Sequence, residues 1–198
     1  MKKNHIIPSI YLVTGKGGVG KSTVASALAK KKVAEGEKVL LVELGDTSYN
    51  RLVFEKEIGY QPVSIEKNLD AALWNGESCL KEFISYFIRL SRVVDLFFEN
   101  KIMKTFVQAA PAIKELAVLG KLTSSNRSYG PPMDYTSIVV DCFSTGHFMS
   151  LMRVPRGISE AIRMGPMGVQ SRNINNVLKD KRMCKVIVVC LAEDLPLQ

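Results

Sequence analysis

The chain predicts an α/β fold in which a parallel β-sheet is covered by helices on both faces. Three observations carry that reading. Four short apolar runs, at 10–13, 38–43, 136–140 and 185–191, are continuous rather than alternating, as strands buried on both faces are. Stretches with helical spacing separate them, the order that builds parallel pairing through crossovers. A glycine-rich segment joins the first run directly to the first helix.

That segment reads Gly15-Lys16-Gly17-Gly18-Val19-Gly20-Lys21-Ser22-Thr23. It satisfies G-x-x-x-x-G-K-[ST], with a strand before it and a helix after it, the context that confirms a phosphate-binding loop. A triphosphate brings several negative charges that need matching without water. The glycines let backbone N–H groups turn inward as a nest, and the helix opening near Lys21 adds its dipole and unpaired N–H groups. Lys21 is expected at the β- and γ-phosphates, the Ser22 hydroxyl on Mg²⁺, and Thr23 on the α-phosphate side. The fold class is thereby a P-loop NTPase. Lys16 is, for an arbitrary loop, a solvated charge.

The remaining elements follow in order. The first helix stops at Gly36, and Lys30-Lys31-Lys32 near its end complement the dipole as a solvated helix end. The strand at 38–43 completes a βαβ unit. From 69 to 122 the chain reads as helices. Leu80, Phe83, Ile84, Phe87, Val94 and Phe97 recur at helical spacing, and Ile88, Leu90, Val93 and Phe98 broaden the stripe. Pro111 opens a helix over 112–122, and 123–134, rich in Ser, Asn, Gly and Pro, is a loop. The third strand ends at Asp141. An acid at the end of a buried strand needs a charge partner, and beside a phosphate loop that partner is Mg²⁺. Thr145 and Gly146 form a turn able to sense a γ-phosphate. Residues 1–198 thus read as a single domain, with 69–122 as a helical segment within it.

Composition narrows the class. The chain has 198 residues, 46% apolar and 23% charged, with a net charge of +8, enough for one substantial core. The charge suits an anionic surface, but no aromatic-interleaved basic stripe points to nucleic acid. The N-terminus has no apolar stretch of signal-peptide length, and no segment has transmembrane length. Cys79, Cys142, Cys184 and Cys190 are too far apart for a C-x-x-C pair, so neither a disulfide framework nor a zinc site is expected. A reduced, cytoplasmic protein is the expectation.

The string GKGGVGKST resembles the deviant phosphate loop of the group that includes the MinD and ParA partition ATPases, nitrogenase iron protein and the ArsA-like anion-transporting and tail-anchored-protein targeting ATPases. In that group the early lysine is the signature lysine. The resemblance implies ATP as the nucleotide, a homodimer, and Lys16 reaching across the interface to the partner's nucleotide like an arginine finger in trans. The segment from Asp141 to Pro155, DCFSTGHFMSLMRVP, resembles the D-T-A-P-T-G-H-T-L-R-x-L-x-x-P switch II of the ArsA-like branch. Asp141, Thr145, Gly146, His147, Leu151 and Pro155 match; Cys142, Phe143 and Ser144 depart. Pro111 and Glu115 match the family's P-G-x-x-E helix start, with Ala112 for its glycine. His147 is a relay for the switch movement or a structural histidine.

Three departures bear on what transfers. The family's switch I reads D-P-A-H, its aspartate orienting the attacking water. Here the segment is Glu43-Leu44-Gly45-Asp46-Thr47-Ser48, so Gly45 takes the aspartate's place and Asp46 serves if the loop shifts by one residue. Glu43 is left for Mg²⁺ or structure. The stretch after Pro155 is shorter than the helical insertion that forms a client groove in the targeting ATPases. The chain also stops after its fourth strand, as a fold lacking its last strands and truncated at the C-terminus would. The leading expectation is an ATP-hydrolysing dimeric switch of the ArsA-like family, coupling nucleotide state to a protein client or membrane partner. The alternatives are a MinD/ParA-type positioning ATPase, or a nucleotide-regulated binding protein with little turnover. For the latter, Met149, Met152, Met164 and Met167 are candidates for an adaptable apolar surface or for core packing.

Overall fold

The structure is a computed structural model, described here over residues 7–87 and 111–192. The chain divides into two compact units. The first holds a six-stranded sheet of order β3-β4-β2-β5-β1-β6, formed by β1 Ser9–Gly15, β2 Val39–Leu44, β3 Val63–Glu66, β4 Leu69–Trp74, β5 Ser137–Ser144 and β6 Cys184–Val189. Every neighbouring pair is parallel except β3 with β4. The central strands are buried on both faces. Ile10, Val13, Val39, Val42, Ile138 and Val139 are each fully enclosed, which is why their runs are continuous and not alternating.

The four strands expected from the sequence are present, and two more accompany them. Residues 69–74 are not the start of a helical segment. They form β4, whose Leu69, Ala71, Ala72 and Trp74 are buried against β2 in parallel register. The preceding β3 pairs back on β4 through a tight turn at Lys67 and Asn68, where Asn68 takes φ 65°. Val63 and Ile65 alternate with Ser64 and Glu66, the period-2 signal of a half-buried edge strand. β5 likewise runs past Asp141 to Ser144, because the Thr14 hydroxyl donates to the Phe143 carbonyl at 2.9 Å and Gly15 pairs with Ser144.

Helix α1 (Lys21–Ala34) packs on β1, β2, β4 and β5, its Ala25 and Ala29 buried against Tyr11, Val13, Leu41 and Val139. Small residues on that face let the helix lie close to the sheet. Of the cations at its end, Lys30 and Lys31 are exposed and Lys32 is partly enclosed. Lys32 bridges Glu35 at 2.7 Å and Glu37 at 3.1 Å and lies over the Tyr11 ring. A short helix, α2 (Asn50–Phe54), follows β2.

The second unit is helical. It comprises α3 (Gly76–Phe87), α4 (Pro111–Leu122), α5 (Ser124–Arg127), the later part of α6 (Thr145–Ala161) and α7 (Gly165–Lys179). Pro111 does open α4. The expected loop at 123–134 contains α5, whose Arg127 donates to Gly120, Thr123 and Gln170. α3 and α4 pack together at Gly76, where an added Cβ would meet Lys114 at 2.6 Å. The apolar positions expected at Ile88, Leu90, Val93, Val94, Phe97 and Phe98 lie outside the described residues. Core packing does not account for Met164, which is 85% exposed. Among the described residues no helix is long and apolar enough to cross a membrane.

Candidate functional site

Because β1, β2 and β5 run parallel, the segments that leave their carboxyl ends emerge on one edge of the sheet. These are the loop 16–20, the segment 45–49 and the start of α6. β1 and β2 are consecutive in the chain, yet β5 lies between them. In open α/β sheets such an edge is where ligands bind.

The glycine-rich loop takes its shape from specific contacts. Gly15 is seated so tightly that a Cβ there would run into the Val189 carbonyl and approach Val19 Cγ2 to 3.1 Å. Val19 is buried, while Lys16, Gly17, Gly18 and Gly20 face solvent. Gly20 caps α1, and no side chain bonds to the helix's first N–H groups. A helix start of this kind, capped by glycine, is a ready anion site. The Lys21 ammonium donates to the Lys16 carbonyl at 3.1 Å, which holds it over the loop. Ser22 is half-buried, and Thr23 is exposed on the first turn.

Asp141 reaches this loop from the next strand. It is buried, and the Ser22 hydroxyl and Lys21 lie near enough to favour its charge. Burial nevertheless pushes its carboxyl above the ordinary carboxylate range, and Glu43 adds to the rise. The register explains Glu43's effect: Glu43 on β2, Asp141 on β5 and Val13 on β1 form one row across the sheet. One Asp141 oxygen, Oδ1, is enclosed with no hydrogen-bond partner.

Ser22 and Asp141 fit a magnesium ion. An enclosed carboxylate oxygen with no donor is what a hard cation requires, and Mg²⁺ commonly takes one or two protein oxygens, completing its shell with phosphates and water. No cluster of three or more His, Cys, Asp or Glu side chains is placed to hold a metal among the described residues.

Glu43 is committed elsewhere. Its carboxylate accepts from the Tyr49 N–H at 2.8 Å, the Asn50 N–H at 3.1 Å and the Ser48 hydroxyl. It therefore anchors the segment after β2, the structural one of its two expected roles. Gly45 has φ 145° and donates to the Trp74 carbonyl at 3.0 Å. That backbone shape suits glycine and resists aspartate, which accounts for the glycine at the aligned position. Asp46 follows it on an exposed bend.

Thr145 and Gly146 are not a separate turn. β5 passes directly into α6, and the two residues form that helix's exposed first turn. His147 is exposed there too, its ring stacked on Phe143 with centroids 3.9 Å apart and planes 8° apart. The departure at Phe143 thus supplies the surface on which His147 rests. Cys79, Cys142 and Cys184 are buried and not in disulfides. Cys190, expected within a strand, lies exposed just beyond β6.

The sequence reading overlooked Ser26 and Asn50. Ser26 is buried one turn beyond Ser22, and its hydroxyl approaches the Ser22 carbonyl at 2.8 Å and Asn50 Oδ1 at 2.6 Å. The i, i+4 spacing of Ser22 and Ser26 was a signal for the first. Nothing local marked Asn50.

The profile of the family described as Anion-transporting ATPase matches residues 9–170. Among individual proteins, the chain is 29% identical over 199 residues to ATPase BagA of Mycobacterium tuberculosis, covering 96% of this chain and 58% of that one. It is 28% identical over 171 residues to an arsenical pump-driving ATPase of Escherichia coli, covering 85% of this chain and 29% of that protein. To an ATPase ASNA1 homolog of Plasmodium chabaudi chabaudi it is 27% identical over 150 residues, covering 76% and 37% respectively. The chain spans little more than half the length of the mycobacterial relative.

Proposed function

The chain belongs to the anion-transporting ATPase family, and from that premise we propose that it binds ATP with Mg²⁺ at the 15–23 loop and hydrolyses it as a dimeric switch. The observation that carries this is Asp141: an enclosed carboxylate oxygen without a partner, beside Ser22 and Lys21 at the mouth of the phosphate loop. Loop N–H groups and the α1 terminus cradle the phosphates, and Lys21 moves from the Lys16 carbonyl to the β- and γ-phosphates. Ser22 and Asp141 would hold Mg²⁺, which would supply charge neutralisation for the phosphates when bound. Asp46 is the candidate to orient the attacking water. Thr145, Gly146 and His147, at the exposed start of α6, are the candidates to follow the γ-phosphate. Catalysis on this reading is positioning and charge neutralisation.

Dimerisation rests on Lys16, which is exposed and free to serve a second copy's nucleotide. Tyr49, Leu52 and Val53, exposed on and beside α2, are apolar surface at the same sheet edge for a second copy to cover. A protein client or a membrane-bound partner is the species whose capture the switch controls. The family match and Thr145-Gly146-His147 both favour this over a partition ATPase. Gly45, in place of an aspartate, favours slow turnover as the second reading.

Lys16→Ala tests the proposal. Steady-state ATPase activity is expected to fall by about a thousandfold or more, the scale of a group supplied in trans, while ATP affinity changes little. Turnover equal to the unmodified protein would remove Lys16 from catalysis. ATP that fails to bind at all would refute the whole reading.

A further inference from the structure

Asn50, the first residue of α2, is only 1% exposed. It stands between two elements that the proposed chemistry uses. Its backbone N–H donates to Glu43 at the end of β2, 3.1 Å away. Its Oδ1 lies 2.6 Å from the Ser26 hydroxyl on α1, and that hydroxyl is also 2.8 Å from the Ser22 carbonyl. A hydroxyl has a single proton, so Ser26 donates to Ser22 or to Asn50 and does not fully serve both.

A second observation is independent of that competition. Asn50 Nδ2 is enclosed with no partner. A buried donor left in this way costs about 1–3 kcal/mol, and such groups in a folded protein call for an explanation. An alternative arrangement satisfies this donor and places Oδ1 in the enclosed position instead. If Ser26 gives its proton to Ser22, the Asn50 amide can turn over and donate from Nδ2 to the Ser26 oxygen. The two arrangements differ in whether the Ser22 carbonyl receives the Ser26 proton and in which amide atom of Asn50, on the segment 45–50 that carries Asp46, faces Ser26.

We propose that Asn50 is a positioning residue: through Ser26 it couples the segment 45–50 to the turn of α1 that bears Ser22, so that nucleotide binding at the loop sets the position of Asp46. This rests on the nucleotide-binding reading above. The coupling is local and uses no residue outside the sheet unit. It also leaves the Glu43 anchor in place, since Glu43 receives backbone N–H groups and the Ser48 hydroxyl.

Hydrogen exchange on the full chain, with and without Mg²⁺ and a non-hydrolysable ATP analogue, tests the coupling in the unmodified protein, Asn50→Ala and Ser26→Ala. In the unmodified protein the analogue is expected to slow exchange at both 16–24 and 45–51. In each variant the effect at 16–24 persists, while the effect at 45–51 shrinks by about fivefold or more. kcat should fall about tenfold or more, with the KM for ATP within about threefold. A mutation that only weakened packing would lower the melting temperature and leave the nucleotide response at 45–51 intact. A response at 45–51 equal in all three proteins overturns the coupling and leaves nucleotide binding standing. No protection at 16–24 in the unmodified protein overturns nucleotide binding and the coupling with it. Should Asn50→Ala fail to fold, Ser26→Ala, which removes a single oxygen, decides by the same readout.

Discussion

Replacing Asp141 by asparagine should raise the stability of the nucleotide-free protein while abolishing its response to magnesium and nucleotide. Asp141 and Glu43 are register neighbours on adjacent strands, with backbones about 5 Å apart. Two unit charges at that separation repel by about 3 kcal/mol at an effective dielectric of about 20. Burial adds to that penalty, while Ser22 and Lys21 favour the Asp141 charge and donors from Ser48, Tyr49 and Asn50 screen Glu43, so the net relief on neutralising Asp141 is about 1–2 kcal/mol. For a chain of this length that is a rise of about 2–8 °C in melting temperature. Asparagine has nearly the same shape, so no cavity offsets the gain. Thermal melts in chelator and in Mg²⁺ with ATP read both halves: the variant melts higher in chelator and no longer gains from adding the pair. The pH dependence carries the same sign. Asp141's carboxyl is raised in the fold, so the folded state takes up its proton more readily than the unfolded one. Lowering pH from neutral towards the carboxylate range therefore stabilises the unmodified chain relative to the variant, and that contribution is lost as pH rises through the folded value. A variant that melts lower in chelator at neutral pH would refute the reasoning, because Asp141's charge would then be compensated within the fold.

Other substitutions probe the surrounding frame. Glu43→Gln should act in the opposite sense to Asp141→Asn despite their adjacency. It replaces a charged acceptor of several hydrogen bonds, costing about 1–2 kcal/mol after the relief at Asp141, measurable by urea unfolding. Gly15→Ala forces a methyl against the Val189 carbonyl. It should cost about 1–3 kcal/mol and weaken ATP binding, as read by chemical denaturation and a fluorescent-nucleotide titration.

Much of this was legible in the sequence. The strand–loop–helix run from β1 to α1 is local: its residues are contiguous, their spacing matches the phosphate-loop pattern, and the apolar runs report burial on both faces. Asp141 was legible as an acid in an otherwise buried strand. What was misread involved distant partners. Residues 69–74 carry Leu, Ala and Trp, which suit either a helix or a strand, and only pairing with β2 settles the choice. The end of β5 depends on Thr14 and Gly15, more than a hundred residues earlier. Asp141 and Glu43 share a row only because the sheet order inserts β5 between β1 and β2.

The phosphate-loop motif was thus legible in the sequence alone, since its residues are contiguous, while the seating of Gly15 against Val189 was not. Its surroundings were decided by the tertiary structure. Pairing in the sheet committed Glu43 to the segment after β2, left one oxygen of Asp141 enclosed without a donor, and brought Asn50 onto Ser26. Each depends on which strands become neighbours and in what register, and that choice is made by burying apolar faces across the whole sheet, a sum that no local stretch of sequence contains.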